Sequence, residues 1–366
     1  MGKKICYLYL IPLFFLTTVA CSDQNDQTQE KSIDFGFTLK RTNYMVQKGE
    51  LFSFNCSGLS SMDHIEFYIN GENHQSWNQL ESDLFQVKTD GIELGVYSIE
   101  IRGFKNNEFI AADGRVLVVN SNEALEEIEY ELVSSHPHNP NHFTQGYEFH
   151  YDRLYESTGN PNNRGTTKIA EIESKTGVSK RETTQPNPIF GEGISVLGSK
   201  VYQISWRDQK CFVYDVNTFE LDTIFIYSGE GWGLCNDEIS LIMSNGTHEL
   251  VYRDPLSFEI TKRISVHSDM GPITNLNELE FHDGRVYANL WRNEIRNQDD
   301  SRMNFSKIVE INPQNGQVSG FIDIRDLIER SIKTGVPNGI AYRASTNTFW
   351  ITGKNWNEVY EIKVNH

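Results

Sequence analysis

The chain has 366 residues, of which 38% are hydrophobic, 12% aromatic and 23% charged, a composition typical of a globular protein rather than a disordered one. Its 50 acidic residues outnumber 33 Lys and Arg, and the formal net charge of −17 argues against a nucleic-acid partner. No apolar run reaches the roughly 18 residues of a membrane-spanning helix, and five cysteines are too few for a disulfide scaffold of this size.

The first 31 residues are typical of a targeting segment followed by a tether. Lys3 and Lys4 precede an apolar stretch, residues 5–16, of the length of a signal-peptide core. Residues 18–21, Thr-Val-Ala-Cys, resemble a bacterial lipoprotein cleavage box. We therefore expect a signal peptide over residues 1–21, lipidation of Cys21 and a lipid-anchored place in a bacterial cell envelope, at the outer membrane or in the periplasm. Ordinary secretory cleavage nearby, with Cys21 incidental, is the alternative. Residues 22–31 are polar and predict a flexible tether.

Short alternating runs predict a small β-sandwich over residues 32–121. The runs are Ile33–Phe37, Leu51–Cys56, His64–Ile69, Leu84–Lys88, Gly95–Arg102 and Arg115–Val119. Turn pairs such as Asn70-Gly71 and Asp113-Gly114 are expected to separate them. The run that begins at Gly95 resembles a late strand of immunoglobulin-like domains. Because this region shows no catalytic constellation, we expect it to be a spacer or an adhesion module.

In the rest of the chain, a unit of roughly 40 to 45 residues recurs five times, a length that is typical of propeller blades. Each unit has a short apolar strand, an aromatic-rich second strand and a third strand. The second strands are predicted at residues 154–159, 201–206, 240–245, 286–291 and 348–353, and the third strands at 168–172, 211–215, 249–253, 307–311 and 358–362. One such unit cannot bury its faces alone.

This pattern predicts an all-β chain with a five-bladed β-propeller over residues 128–366. An open solenoid is the alternative. We expect residues 130–133 to supply the outer strand that completes the last blade, residues 292–303 to form a long surface loop, and residues 323–333 to form a helical connection. The three cysteines outside the leader, Cys56, Cys211 and Cys235, are expected to be buried thiols.

Residues at equivalent points of the five units predict a pocket, because such points converge at one end of a propeller channel. Polar or aromatic residues beside glycine lead into the innermost strands: Gln145, Glu192, Trp232, Asn277 and Asn338. A second set ends the second strands: Gly159, Trp206, Asn245, Trp291 and Lys354. An apolar pocket with a few convergent polar groups is a typical ligand site. In the alternative interpretation the tryptophans pack in the core, and Lys354 and Asn338 belong to turns.

Eight motifs carry a family resemblance. They are FTQG at 143–146, LYESTG at 154–159, FGEG at 190–193, GEGWGL at 229–234, LNELE at 276–280, YANLW at 287–291, NGIA at 338–341 and TGK at 352–354. In this order they resemble the plant-type glutaminyl cyclases of bacteria and plants, also called glutamine cyclotransferases. The resemblance implies a five-bladed propeller that converts the N-terminal glutamine of peptides and proteins to pyroglutamate with release of ammonia, with no required cofactor. The predicted sandwich lies outside it.

The resemblance also implies roles for individual residues. The general acid/base glutamate falls on Glu192. The pocket aromatics fall on Phe143, Phe190, Trp206, Trp232 and Trp291, and the polar substrate contacts on Gln145, Asn277 and Lys354. One carboxylate can take a proton from the substrate amine and return it to the departing ammonia, and burial among tryptophans is expected to raise its pKa. The nucleophile belongs to the substrate, so no Ser or Cys nucleophile is needed.

Two other functions stay open at this point. A metal-dependent propeller hydrolase, such as a lactonase, would use Glu192, Asn277, Glu278 and Asn338 as oxygen ligands around a Ca²⁺. A non-catalytic, lipid-anchored binding propeller would place its contacts on the rim or on the sandwich. A structural Ca²⁺ in the propeller channel is compatible with the cyclase interpretation as well.

Overall fold

The computed structural model describes residues 34–39, 41, 43–161, 166–291, 306–331 and 335–365. The predicted signal peptide, Cys21 and the tether lie outside these residues, and so does the predicted surface loop at 292–303. The described chain is almost entirely β-strand, with a six-residue α-helix, α1 (Arg325–Arg330), and a 3-10 turn, Leu59–Ser61. The fold is therefore all-β, as predicted. None of the described helices has the length and apolarity that a membrane crossing requires.

The region before residue 121 contains two sheets. The strands are β1 (Gly36–Phe37), β2 (Asn43–Gln47), β3 (Leu51–Ser57), β4 (His64–Ile69), β5 (Glu72–Trp77), β6 (Leu84–Lys88), β7 (Gly95–Lys105) and β8 (Glu108–Asn120). One sheet has the order β1-β3-β6 and the other β2-β8-β7-β4-β5, with β2 parallel to β8. Alternate side chains of β3, such as Phe52 and Phe54, enter one core with Phe67 and Ile99.

The predicted turn at Asp113-Gly114 is wrong, because both residues lie inside the long strand β8, opposite β7. The turn between β7 and β8 is formed instead by Asn106 and Asn107, whose φ angles of 52° and 65° are in the left-handed region that Asn tolerates. Asp113 has a tertiary partner, since its carboxylate accepts the N–H of Phe37 at 3.0 Å. That contact between distant residues outweighs the local turn preference of the Asp-Gly pair.

The remaining strands form five sheets of at least four strands and one sheet of only two strands. In chain order they are β9 (Glu126–Glu127), β10 (Tyr130–Pro137), β11 (Thr144–His150), β12 (Arg153–Thr158), β13 (Lys168–Glu173), β14 (Val178–Thr184), β15 (Gly191–Leu197), β16 (Lys200–Ser205), β17 (Lys210–Asp215), β18 (Leu221–Ile226), β19 (Leu234–Asn236), β20 (Leu241–Ser244), β21 (Glu249–Arg253), β22 (Ile260–Ser265), β23 (His267–Ser268), β24 (Gly271–Pro272), β25 (Leu276–His282), β26 (Arg285–Leu290), β27 (Lys307–Ile311), β28 (Val318–Asp323), β29 (Pro337–Arg343), β30 (Thr348–Gly353) and β31 (Glu358–Val364).

Each of the five larger sheets contains four consecutive antiparallel strands, except sheet 5. Sheet 1 is β11-β12-β13-β14, sheet 2 is β15-β16-β17-β18 and sheet 3 is β19-β20-β21-β22. Sheet 4 is β25-β26-β27-β28, to which β9 adds in parallel. Sheet 5 takes only three strands from the C-terminal part, β29, β30 and β31, and β10 completes it as the outer strand. The expected role of residues 130–133 is therefore confirmed.

The innermost strands lie side by side in a closed circle. β15 contacts β11 and β19, β25 contacts β19 and β29, and β29 contacts β11. A separate hydrophobic core fills the space between each pair of neighbouring sheets, including sheets 5 and 1. The middle strands are consequently buried on both faces, as in β16, where five of six residues are buried. Cys211 and Cys235 lie in two of these cores and Cys56 in the sandwich core, and all three are free thiols, as predicted.

Candidate active site

A cavity of about 280 Å³ opens where the innermost strands begin. The nine residues that line it are the nine predicted from the sequence: Phe143, Gln145, Phe190, Glu192, Trp206, Trp232, Asn277, Trp291 and Lys354. Its polar members Gln145, Glu192, Asn277 and Lys354 are buried, whereas the aromatic members are partly exposed. The cavity is therefore an aromatic cup with polar groups at its base.

A β-bulge at the same point of four sheets aims the polar residues at the cavity. The antiparallel register shifts between Thr144 and Gly146 in sheet 1, between 191 and 194 in sheet 2, between 276 and 279 in sheet 4, and between 337 and 340 in sheet 5. The residues that the bulges leave without a register partner are Gln145, Glu192, Gly193, Asn277, Glu278, Asn338 and Gly339, and three of them line the cavity: Gln145, Glu192 and Asn277. A bulge changes the direction in which a side chain points at the end of a sheet. In sheets 1, 2 and 4 the polar residue beside glycine or leucine therefore faces the cavity because of this local backbone geometry.

The second strands deliver the remaining side chains through a repeated backbone contact. Trp206, Trp291 and Lys354 are each the first residue after a second strand. Their N–H groups donate to the carbonyls of Phe190, Asn275 and Val336, in each case at 2.9 Å. This contact ties the end of the second strand to the segment that enters the first strand of the same sheet. Equivalent positions of three sheets therefore place the indoles of Trp206 and Trp291 and the ammonium of Lys354 around the cavity.

The side-chain carboxyl of Glu192 has no hydrogen-bond or ion-pair partner among the described residues. Burial raises the pKa of its carboxyl well above the usual value. The ammonium of Lys354 opposes this increase and the carboxylate of Glu230 adds to it. The carboxyl therefore holds a proton more tightly than an exposed glutamate does, and it faces the cavity, where it can exchange that proton with a ligand.

Lys354 is the cation of the cavity. Its Nζ lies 4.1 Å from the ring centroid of Trp291 and 5.1 Å from that of Phe143, distances typical of cation–π contacts. Burial lowers its pKa to about 8, against the attraction of Glu192. The group therefore remains largely charged at neutral pH and begins to lose its proton just above it.

Three of the predicted mouth residues, Gly159, Asn245 and Asn338, do not line the cavity. Asn338 lies behind Gln145, where its Nδ2 donates to Gln145 Oε1 at 3.0 Å and to Thr144 O at 3.1 Å. It therefore orients a cavity residue. Asn245 belongs to a turn, because its Oδ1 accepts the N–H and the hydroxyl of Thr247. The side-chain oxygen of Asn277 is buried with no partner in the described protein and is free to accept a hydrogen bond from a ligand.

Glu230 is a residue that the sequence reasoning passed over. It lies two residues before Trp232, and its Oε2 accepts the indole N–H of Trp206 at 2.8 Å and that of Trp232 at 3.0 Å. Its place in the GEGWGL motif was the only signal in the sequence, and the interpretation of that motif centred on Trp232. Its two partners come from different sheets, a relation that the sequence does not display.

A second buried carboxylate, Glu156 on β12, lies at the junction of sheets 1 and 5. Its Oε1 faces His138 Nε2 at 3.0 Å and accepts the Thr144 hydroxyl at 2.8 Å, and its Oε2 faces His142 Nδ1 at 2.7 Å. His138 Nδ1 donates to the carbonyl of Trp356 at 2.8 Å, so both of its ring nitrogens carry protons. Burial lowers the pKa of His138, but Glu156 outweighs burial and leaves it above the usual value.

His138, His142 and Glu156 are the one group of three or more His, Cys, Asp or Glu among the described residues with ligand atoms close enough to hold an ion. Their geometry fits hydrogen bonding better. Asn139 Nδ2 donates to His142 Nε2 at 3.2 Å, so the proton of that ring is on Nδ1, the atom that a metal would need. Nitrogen-rich sets also do not suit Ca²⁺, which prefers oxygen ligands. This cluster is therefore no support for the predicted calcium ion, which stays a prediction.

The residues proposed for a lactonase-like metal site are not arranged as one. Glu278 Oε1 accepts the N–H of Tyr147 at 3.1 Å, and its Oε2 accepts that of Ile340 at 2.8 Å. Its carboxylate thus joins the innermost strands of sheets 1 and 5 and does not line the cavity. Asn338 lies behind Gln145, and the ammonium of Lys354 would repel a divalent cation. The arrangement favours an organic ligand with polar groups at one end.

Comparison with known proteins shows which proteins this chain is similar to. The sequence model of the family described as glutamine cyclotransferase matches residues 109–364. The glutaminyl-peptide cyclotransferase of Arabidopsis thaliana is 31% identical over 243 residues, which cover 64% of this chain and 71% of that protein. The crystal structure of the glutaminyl cyclase of Myxococcus xanthus is similar with a TM-score of 0.58 and 28% identity, over 67% of this chain and 99% of that one.

Proposed function

The chain belongs to the glutamine cyclotransferase family, and we propose that the nine-residue cavity is its active site, with Glu192 as the group that moves the proton. The reaction of the enzyme is the conversion of an N-terminal glutamine to pyroglutamate, and its substrates are peptides and proteins that begin with glutamine. The observation that carries the assignment to the cavity is the buried, unpartnered carboxyl of Glu192 at the base of an aromatic cup.

The first step requires a free amine. The α-amine of a peptide has a pKa of about 7.7 to 8.0, so much of it is protonated at neutral pH. Glu192 takes a proton from this nitrogen as it attacks the side-chain carbonyl carbon and the ring closes. The same carboxyl then delivers the proton to the amide nitrogen, the carbon–nitrogen bond breaks, and ammonia leaves. A raised pKa suits both halves of this transfer.

The tetrahedral intermediate carries an oxyanion that needs donors. The Lys354 ammonium, or the side-chain amides of Asn277 or Gln145, can supply them from the base of the cavity. The aromatic wall excludes water, which would otherwise hydrolyse the amide to glutamate, and holds the flexible glutamine side chain close to its own amine.

For the fold, the proposal is a five-bladed β-propeller over residues 128–366 and an immunoglobulin-like sandwich over residues 32–121. Support for the propeller comes from the closed circle of innermost strands, from a core in each of the five spaces between sheets, and from completion of sheet 5 by β10. Support for the sandwich comes from its two sheets and their shared aromatic core.

For the location, the proposal is a lipoprotein of the bacterial cell envelope anchored through Cys21. Its support is the sequence of residues 18–21. Metabolic labelling with a palmitate analogue should mark the wild-type chain and not the Cys21→Ala variant. Labelling that is equal in both would contradict the anchor and leave the cyclase activity unaffected.

Mass spectrometry tests the enzymatic assignment directly. A peptide that begins with glutamine should lose the mass of one ammonia molecule when incubated with the purified protein, and should do so with or without EDTA. A peptide that begins with asparagine is the matched control, because ring closure from its shorter side chain would give a strained four-membered ring. Absence of turnover with several glutamine peptides would contradict the function, and loss of turnover in EDTA would contradict the metal-free site.

A further inference from the structure

The indoles of Trp206 and Trp232 are held by a single oxygen atom. Glu230 Oε2 lies 2.8 Å from one indole nitrogen and 3.0 Å from the other. Trp206 follows β16 in sheet 2, and Trp232 precedes β19 in sheet 3, so the carboxylate joins the cavity rims of two sheets. The indole N–H is the only hydrogen-bonding group of a tryptophan. The Glu230 contact therefore sets the rotation of both rings in the cavity wall.

Arg207 holds the other side of this arrangement. Its Nε donates to Glu230 Oε1 at 2.8 Å, and its guanidinium lies 3.9 Å from the centroid of the Trp206 ring. The arginine side chain is 66% exposed and that of Glu230 36%, so this ion pair adds little to the stability of the fold. What the pair does is keep the carboxylate oriented toward the two indoles. The result is a cation, a carboxylate and two aromatic rings in fixed order at the edge of the cavity.

The charge of Glu230 also reaches the base of the cavity. Hydrogen bonds from Trp232, Arg207 and Trp206 outweigh its burial and lower its own pKa, so it is ionised at neutral pH. The charged and titratable groups that act on Glu192 are Lys354 on one side and Glu230 on the other. Tyr227, whose hydroxyl donates to the carbonyl of Ser205, lies in the same neighbourhood and is neutral. Glu230 is therefore placed to influence the proton affinity of Glu192 without touching the substrate.

We propose that Glu230 is a positioning residue for the cyclisation: its carboxylate fixes the two indoles that form the cavity wall, and it places a negative charge at the edge of the cavity. This inference rests on the proposed function of the cavity. The contact with both indoles explains why a carboxylate, that of Glu230, directly precedes the Gly231-Trp232-Gly233 segment. Arg207 has the task of orienting that carboxylate from the solvent side.

Two substitutions separate the two parts of the proposal. Glu230→Leu removes the acceptor, and kcat/KM should fall about 10-fold to 100-fold. The loss should come mainly from a higher KM, because the wall contacts the glutamine side chain before and during the reaction. Glu230→Gln keeps an acceptor but removes the charge, and the acidic limb of the pH profile of kcat/KM should move to lower pH. The matched controls are Glu249→Leu and Glu249→Gln, since Glu249 forms an exposed ion pair with Arg263 outside the cavity.

The proposal is overturned if Glu230→Leu keeps kcat/KM within about twofold of Glu249→Leu, the range of ordinary surface substitutions. It is also overturned if the acidic limb of Glu230→Gln coincides with that of the wild-type enzyme. Should the Leu variant not fold, Trp206→Phe, which removes one indole N–H and keeps an aromatic ring, replaces it with the same expected rise in KM. A wild-type chain without turnover would remove the cyclase function itself, so the two failures are distinguishable.

Discussion

Glu156 and Glu192 are both buried, with 0% and 6% of their surface exposed, yet the two regions around them have opposite electrostatics. At the junction of sheets 1 and 5, Glu156 faces two histidines and a threonine hydroxyl. Burial would raise its pKa, but these partners outweigh burial and lower it well below the usual value. In the cavity, the side-chain carboxyl of Glu192 has no partner among the described residues, and burial raises its pKa.

The difference shows how one residue type serves two purposes on the same scaffold. A buried carboxylate whose oxygens all have partners is fixed in one protonation state and holds elements together. A buried carboxyl without partners favours its protonated state and, where it faces a cavity, can exchange that proton with a ligand. The first arrangement lies at the junction of sheets 1 and 5, and the second provides the proposed reactive group in the cavity.

The largest expected effect is the loss of turnover when the carboxyl of Glu192 is removed. Glu192→Gln keeps the shape and removes the proton acceptor, so turnover of a glutamine peptide should fall by about 10² to 10⁴. Ammonia release measures the effect, and Glu220→Gln, a change at an exposed position, is the control. Turnover within tenfold of the wild type would show that another group moves the proton.

Glu192→Gln should also change how the stability of the fold depends on pH. Because the folded-state pKa of Glu192 is raised, the contribution of this carboxyl to stability should be fully present below the unfolded value of 4.5 and be lost as pH rises through the folded value. In thermal unfolding followed by circular dichroism, Glu192→Gln should lack this loss of stability. Parallel pH curves for the two proteins would mean that the carboxyl is not desolvated.

At the junction, Glu156→Gln should destabilise the fold by about 3 to 5 kcal/mol, because it leaves the charged ring of His138 buried without its counter-ion. Chemical denaturation measures the loss. Since the folded pKa of Glu156 is lowered, its contribution is present above 4.5 and disappears as pH falls below that value. The variant and the wild type should therefore converge in strong acid. Unchanged stability at neutral pH would show that the cluster does not hold sheets 1 and 5 together.

A substitution of Lys354 tests the electrostatics of the cavity itself. Lys354→Met removes a donor for the oxyanion and should lower kcat about 10²-fold to 10³-fold. Lys363→Met, at an exposed position of β31, is the control. If kcat were unchanged while KM rose, the ammonium would bind the substrate without stabilising the intermediate.

The smallest expected effect is a shift of the basic limb of the pH profile. The ammonium of Lys354 has a pKa of about 8, so activity that depends on its charge should decline as pH rises through that value. Arginine stays protonated throughout this range. In Lys354→Arg the limb should therefore move to higher pH, whatever the change in absolute rate. A limb that stays in place would assign the decline to another group.

The sequence was sufficient for most of the strands and for the members of the cavity. Strand alternation and turn residues are local signals, so the five second strands and five third strands fall within a residue or two of their predicted positions. Seven of the nine cavity residues were predicted because equivalent positions of a repeat share an environment, whereas Phe143 and Phe190 were predicted from the family resemblance. Sequence reasoning did not find β2 and β5, whose alternation is weak. It also placed a turn at Asp113-Gly114, where a contact with Phe37 keeps the chain extended.

By itself, the order of residues determined the repeat, the all-β architecture and which side chains meet at the base of the sheets, because bulges and strand ends recur with the period of the chain. Only the tertiary structure decided which carboxylates are paired. The contacts of Glu230 with Trp206 and of Glu156 with His138 join positions 24 and 18 residues apart across sheet edges. Proton affinity depends on those neighbours and on burial, and neither is written in the spacing of residues along the chain.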